Sequence, residues 1–66
     1  MTYEELERHE RQPRRITLKS GPVLEGFVTT HRDENGRPVG RIGYNDKPGV
    51  LFDPADVATI EELPDP

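Results

Sequence analysis

The chain has 66 residues, of which 30% are hydrophobic and 33% charged, with a net charge of −4 and no cysteine. That length makes one domain with a thin core, and the missing thiols exclude both a disulfide staple and a thiolate metal site. No apolar run approaches the roughly 18 residues that span a membrane, and the acidic start Met1-Thr2-Tyr3-Glu4-Glu5 lacks the apolar stretch of a secretory signal, so a cytoplasmic location and no membrane partner are expected.

Residues 1–14 read as a helix and linker. Thr2-Tyr3-Glu4-Glu5 fits a capping box: the Thr2 hydroxyl accepts from the Glu5 amide, and the Glu5 carboxylate reaches back to the Thr2 amide. A helix over residues 3–11 then places Glu4, Glu5 and Glu7 at the positive end of its dipole and Arg8 and Arg11 toward the negative end. Pro13 stops it, because the residue before proline avoids helical angles. Only Tyr3 and Leu6 are apolar, so the helix has to dock through these two.

Residues 15–63 read as five short strands. Arg15-Ile16-Thr17-Leu18-Lys19 alternates polar and apolar, as a half-buried strand does, and Ser20-Gly21-Pro22 is a turn. Residues 23–30 form a second strand interrupted by Gly26, which marks a bend. Asn35-Gly36 signals a hairpin, and residues 38–45 a third strand with Ile42 and Tyr44 on one face. After the turn Asp46-Lys47-Pro48-Gly49 comes a fourth strand, Val50-Leu51-Phe52. Asp53-Pro54-Ala55-Asp56 suits one capped turn of 3₁₀ helix, and residues 57–63 close the sheet. Residues 64–66 are expected to be a disordered tail. The expected core is Ile16, Leu18, Leu24, Val28, Ile42, Leu51, Val57 and Ile60, with Tyr44 and Phe52 read as core aromatics rather than stacking platforms. The fold class is therefore all-β with one short N-terminal helix.

The residues carry no recognisable catalytic constellation, so a non-catalytic binding module without cofactor is expected. His9 and His31 lack converging ligands and read as surface imidazoles. Asp46, Asp53 and Asp56 match no calcium-loop spacing and suit turns and caps. Charge is asymmetric along the chain: residues 8–41 carry eight bases and four acids, residues 42–66 one base and six acids. Two candidate surfaces follow. Arg8 and Arg11, three apart on one helix face, would be extended by Arg14, Arg15 and Lys19 into a patch for phosphates of RNA or a small nucleotide. Asp56, Glu61 and Glu62 in the acidic half would bind a protein partner. The short core and an unpaired sheet edge lead us to expect a homo-oligomer.

The run Ile16-Thr17-Leu18-Lys19-Ser20-Gly21, followed by Val23-Leu24-Glu25-Gly26, resembles the first two strands of Sm-like proteins, small SH3-like barrels with a helix before strand one. Within that group the layout is most similar to the Rof-type Rho-binding antiterminators. These share the leading helix, the apolar-Leu-Lys-x-Gly turn and a closing segment like Val50-Leu51-Phe52 with Asp56-Val57-Ala58-Thr59-Ile60. The resemblance implies a five-stranded SH3-like (Sm-like) barrel. It also implies a regulatory role in which acidic groups compete for the basic, nucleic-acid-reading surface of a protein partner. One feature departs from the family. Where Sm-like RNA binders place an apolar residue under a uridine, this chain has Thr30-His31-Arg32-Asp33-Glu34-Asn35, so that pocket does not carry over.

Overall fold

The computed structural model describes residues 1–44 and 48–63. Helix α1 spans Tyr3–Glu7, and the strands are β1 (Pro13–Leu18), β2 (Val23–Arg32), β3 (Pro38–Gly43), β4 (Val50–Phe52) and β5 (Val57–Glu62), with a 3₁₀ turn at Pro54–Asp56 between the last two. All strand pairings are antiparallel, in the order β4-β3-β2-β1-β5. The all-β class with one N-terminal helix therefore holds, and the arrangement is that of a small barrel-like sheet. The sheet is not closed: among the described residues β4 pairs only with β3, and β5 only with β1. The ends expected for the third strand at Asn45, the turn residues Asp46 and Lys47, and the tail 64–66 lie outside the described residues.

The helix is shorter than the sequence pattern suggests. Thr2 caps it, its hydroxyl accepting from the Glu5 amide at 3.2 Å. The Glu5 carboxylate accepts from that same hydroxyl at 3.3 Å, instead of reaching the Thr2 amide. Past Glu7 the backbone tightens into bonds three residues back, from His9 to Leu6 (2.9 Å) and from Glu10 to Glu7 (3.1 Å). The expected continuation through Arg11 fails because β2 takes over its backbone. The Arg11 amide donates to Val28 O at 2.6 Å, and the Val28 amide donates to Gln12 O at 3.2 Å. Arg11 adopts φ 62°, a left-handed conformation that ends any helix. With Leu6 as its one buried residue, the segment gains more from these sheet bonds than from another helical turn.

The core consists of Leu6, Ile16, Val28, Ile42, Phe52 and Val57, with Met1, Leu18, Leu24 and Ile60 packed around it. Two glycines permit this packing. Gly26 holds φ +146°, and a Cβ there would stand 2.8 Å from backbone atoms of Gly43. The bend expected in the second strand is therefore a close approach of β2 to β3. A Cβ at Gly40 would overlap the Phe52 ring and stand 2.9 Å from Leu6 Cδ2.

That hollow over Gly40 also corrects two core assignments. In the β3–β4 register Gly40 faces Phe52 and Arg41 faces Leu51. Phe52 therefore turns inward, and Leu51 is 65% exposed rather than buried. A strand has two faces one residue out of phase, and only one of the two apolar neighbours can occupy the core. Tyr44, also expected inside, is 46% exposed and packs its ring against Phe27 on the outer face.

Candidate functional site

The five bases of the expected phosphate patch stand on different elements, with Arg8 and Arg14 both close enough to His9 to act on it. Arg8 is the C-cap of α1 and Arg11 lies beyond the helix in its left-handed turn, so the two share no helix face. Arg14 and Arg15 are neighbours on β1 and so point to opposite faces of the sheet. Arg14 is held internally: its Nε donates to His9 Nδ1 at 3.0 Å, Nη1 donates to Pro13 O at 2.8 Å, and Nη2 donates to the Gln12 side chain. Arg15 pairs with Glu25 across β2 at 2.6 Å, with both side chains 43% exposed. At that exposure water and salt screen the pair, and it adds little to stability. The Glu25 hydrogen bond and charge, with a further contribution from Glu61, raise the Arg15 pKa above its ordinary value. Lys19 sits past the far end of β1, where its amide donates to Asp56 O at 2.7 Å.

The acidic set is laid out along the edge. Glu61 stands opposite Arg15 and Glu62 opposite Arg14 in the β1–β5 register. Both are exposed, and among the described residues neither makes an ion pair within 4.0 Å. Asp56 lies before the start of the same strand, where its carboxylate accepts from the Ser20 hydroxyl at 3.0 Å and ties the β1–β2 turn to the 3₁₀ turn. Glu61 and Glu62 thus form one end of an open edge strand, and Asp56 serves structure at the other.

Desolvation lowers the His9 pKa, with Arg14 and Arg8 acting in the same direction and Glu62 opposing them. Arg14 Nε is a donor, so His9 Nδ1 has to be the unprotonated nitrogen, and the neutral ring carries its proton on Nε2. His31 shares a 2.9 Å contact with the Thr29 hydroxyl. Asp33 accepts from the amides of Asn35 and Arg37, and Asp53 from that of Ala55, as turn and cap residues do. Asp46 lies outside the described residues. Among those described, no three His, Asp or Glu side chains converge as metal ligands, and no helix is long and apolar enough to cross a membrane.

One feature escaped the sequence reading. Phe27 (38% exposed) and Tyr44 meet edge to face on the outer surface of β2 and β3, ring centroids 6.3 Å apart and planes at 86°. Together with Thr29, Arg41 and Gly43 they line a pocket of about 150 Å³. Strand alternation contains the signal: with Val28 inside, Phe27 and Thr29 are outside. A second, more open hollow of about 460 Å³ lies beside β4, lined by residues that include Leu51, Val39, Asp33 and Asp53.

Comparison with known proteins finds no matching family model, no matching curated protein and no matching solved structure.

Proposed function

We propose that this chain is a non-catalytic regulatory module that acts through protein–protein contact along β5, in the manner of the Rof-type Rho-binding antiterminators that its sequence layout resembles. One observation carries the reading. On an open edge strand Glu61 and Glu62 are exposed carboxylates without an ion-pair partner among the described residues, whereas Arg14 and Arg15 are engaged within the chain. An open edge offers a row of backbone donors and acceptors to an incoming strand. Its end carries two free carboxylates, one on each face of the strand, which favour a basic partner seated along the edge itself and speed its encounter. A basic surface of that kind is what a nucleic-acid-binding protein presents, so occupying it would block RNA. Binding of RNA or a small nucleotide through the arginines has less support, because the set is dispersed over both sheet faces and partly bonded internally. The second open edge, β4, exposes Val50 and Leu51 and supports self-association of the module.

The test is inhibition of RNA binding by purified Rho factor. The native chain is expected to weaken RNA retention by Rho, and the double variant Glu61→Gln with Glu62→Gln to lose that effect while keeping its melting temperature. Equal inhibition by the double variant would overturn the assignment to β5.

A further inference from the structure

The corner formed by Phe27 and Tyr44 belongs to no part of the acidic edge. It lies on β2 and at the end of β3, whereas among the described residues β5 borders β1 alone. Its chemistry has three components. The first is size: about 150 Å³ falls below the roughly 300–1,000 Å³ of pockets that engulf a drug-sized ligand, and an apolar cavity of about 150 Å³ holds a benzene ring. One six-membered ring fits, and little more. The second is wall geometry. Two aromatic rings at 86° present an inside corner, so a planar guest stacks on one ring face and meets the other ring edge-on, the two arrangements that aromatic pairs favour. The third is charge. Arg41 is the one charged side chain lining the pocket among the described residues, and Thr29 adds a hydroxyl. A guanidinium is a planar fork that binds carboxylate or phosphate through two parallel bonds. It would repel the cationic guest that an aromatic corner otherwise attracts.

The corner is also prearranged. Arg41 projects to the outer face because its neighbours Gly40 and Ile42 are turned to the core, and its stem runs along Gly49, where a Cβ would stand 2.8 Å from Arg41 Cγ. Gly43 stands opposite Phe27 in the β2–β3 register and lines the pocket with backbone alone, held close to Gly49, whose Cα would stand 2.7 Å from an added Cβ.

We propose that Phe27, Tyr44 and Arg41 form a binding site for a small planar ring bearing an anionic group, the ring lodged in the aromatic corner and the anion on the Arg41 guanidinium. The anion has two chemical sources, a carboxylate on a monocyclic aromatic acid or the phosphate of a pyrimidine mononucleotide. In either case the module carries a small-ligand site separate from its acidic edge, and its failure would leave the β5 reading untouched.

The experiment is a titration of the isotope-labelled full chain with benzoate, uridine 5′-monophosphate and benzylamine, followed by backbone and aromatic NMR shifts. Saturable shifts centred on Phe27, Thr29, Gly43 and Tyr44 are expected with benzoate or the mononucleotide, and weaker ones with benzylamine. The stronger of the two anions identifies the source. Arg41→Gln should weaken anion binding roughly tenfold and remove the preference over benzylamine, as expected for loss of one charge-assisted contact. Tyr44→Ala should weaken both anionic probes. Arg41 and Tyr44 are exposed, so Arg41→Gln should keep the native melting temperature and Tyr44→Ala, which loses its contact with Phe27, should lower it by a few degrees while the native spectrum persists, which separates lost binding from lost fold. Absence of saturable shifts in this corner, benzylamine binding as well as benzoate, or unchanged anion affinity in Arg41→Gln would each overturn the proposal.

Discussion

Gly26→Val is the perturbation that the fold should tolerate least. Gly26 holds φ +146°, which a β-branched residue avoids, and forcing such a backbone conformation costs on the order of 1–3 kcal/mol. The new Cβ would also stand 2.8 Å from N, Cα and C of Gly43. These are backbone atoms of a paired strand, so the neighbour cannot rotate away as a side chain would, and overpacking of this kind adds about 1–3 kcal/mol. Together the two effects cost about 2–6 kcal/mol. A domain of this size has a total stability of about 3–10 kcal/mol, at roughly 0.05–0.15 kcal/mol per residue, so the variant should be severely weakened or unfolded. Thermal unfolding followed by circular dichroism is the assay. Each kcal/mol moves the melting temperature of a small domain by about 4–8 °C, which predicts a fall of at least about 8 °C. Gly36→Ala is the control. Gly36 also has a positive φ, +78°, but nothing lies within 4 Å of its added Cβ, so only the smaller backbone cost applies. If Gly26→Val lowered the melting temperature no more than Gly36→Ala, the close approach of β2 to β3 would be wrong.

Four further outcomes are expected. Gly40→Ala should destabilise the domain, because its Cβ overlaps the Phe52 ring, and a crystal structure or NMR spectrum should show Phe52 displaced; an unchanged melting temperature would contradict the register that buries Phe52. Glu10→Ala should cost about 1–3 kcal/mol in denaturant unfolding, since the Glu10 carboxylate accepts from Thr30 N at 3.1 Å and Thr30 Oγ1 at 2.6 Å and its loss strands both donors. The lowered pKa of His9 means that the unfolded chain binds its proton more tightly than the folded one. The stability this group contributes is complete above its unfolded pKa of about 6.5 and is lost as pH falls from there through the lower folded value, and His9→Gln should flatten that stretch of the unfolding-versus-pH curve. Light scattering over a dilution series should show a mass above that of one chain, falling toward it on dilution, and Leu51→Asp on the β4 edge should favour the single chain.

The order and type of the elements were legible because their signals are local. Alternation marked β1, Asn35-Gly36 marked a hairpin, and Asp53-Pro54 marked the capped 3₁₀ turn that the structure shows. What failed depended on partners distant in sequence. Residues 8–11 have helical composition, yet Val28 O and N recruit the backbone there. Val50-Leu51-Phe52 is uniformly apolar, so nothing within it says which side chain is buried, and the hollow over Gly40 decides for Phe52. Charges adjacent in sequence read as a patch, but β1 sends Arg14 and Arg15 to opposite faces, and the β5 register sets Glu62 and Glu61 across from them. The aromatic corner was within reach of alternation for Phe27. Its other wall was not, because Tyr44 follows the end of β3, where the strand period no longer applies.

The contact proposed along β5 can be mapped on the chain itself. Amide exchange and shift perturbation should be measured on the labelled chain with and without Rho factor. If β5 is the working surface, protection and broadening should concentrate on Ala58, Thr59, Ile60, Glu61 and Glu62 and fade across β1 toward β3. Perturbation confined to Arg8, Arg11 and Lys19, or to the outer face at Phe27 and Tyr44, would contradict the acidic edge as the regulatory surface.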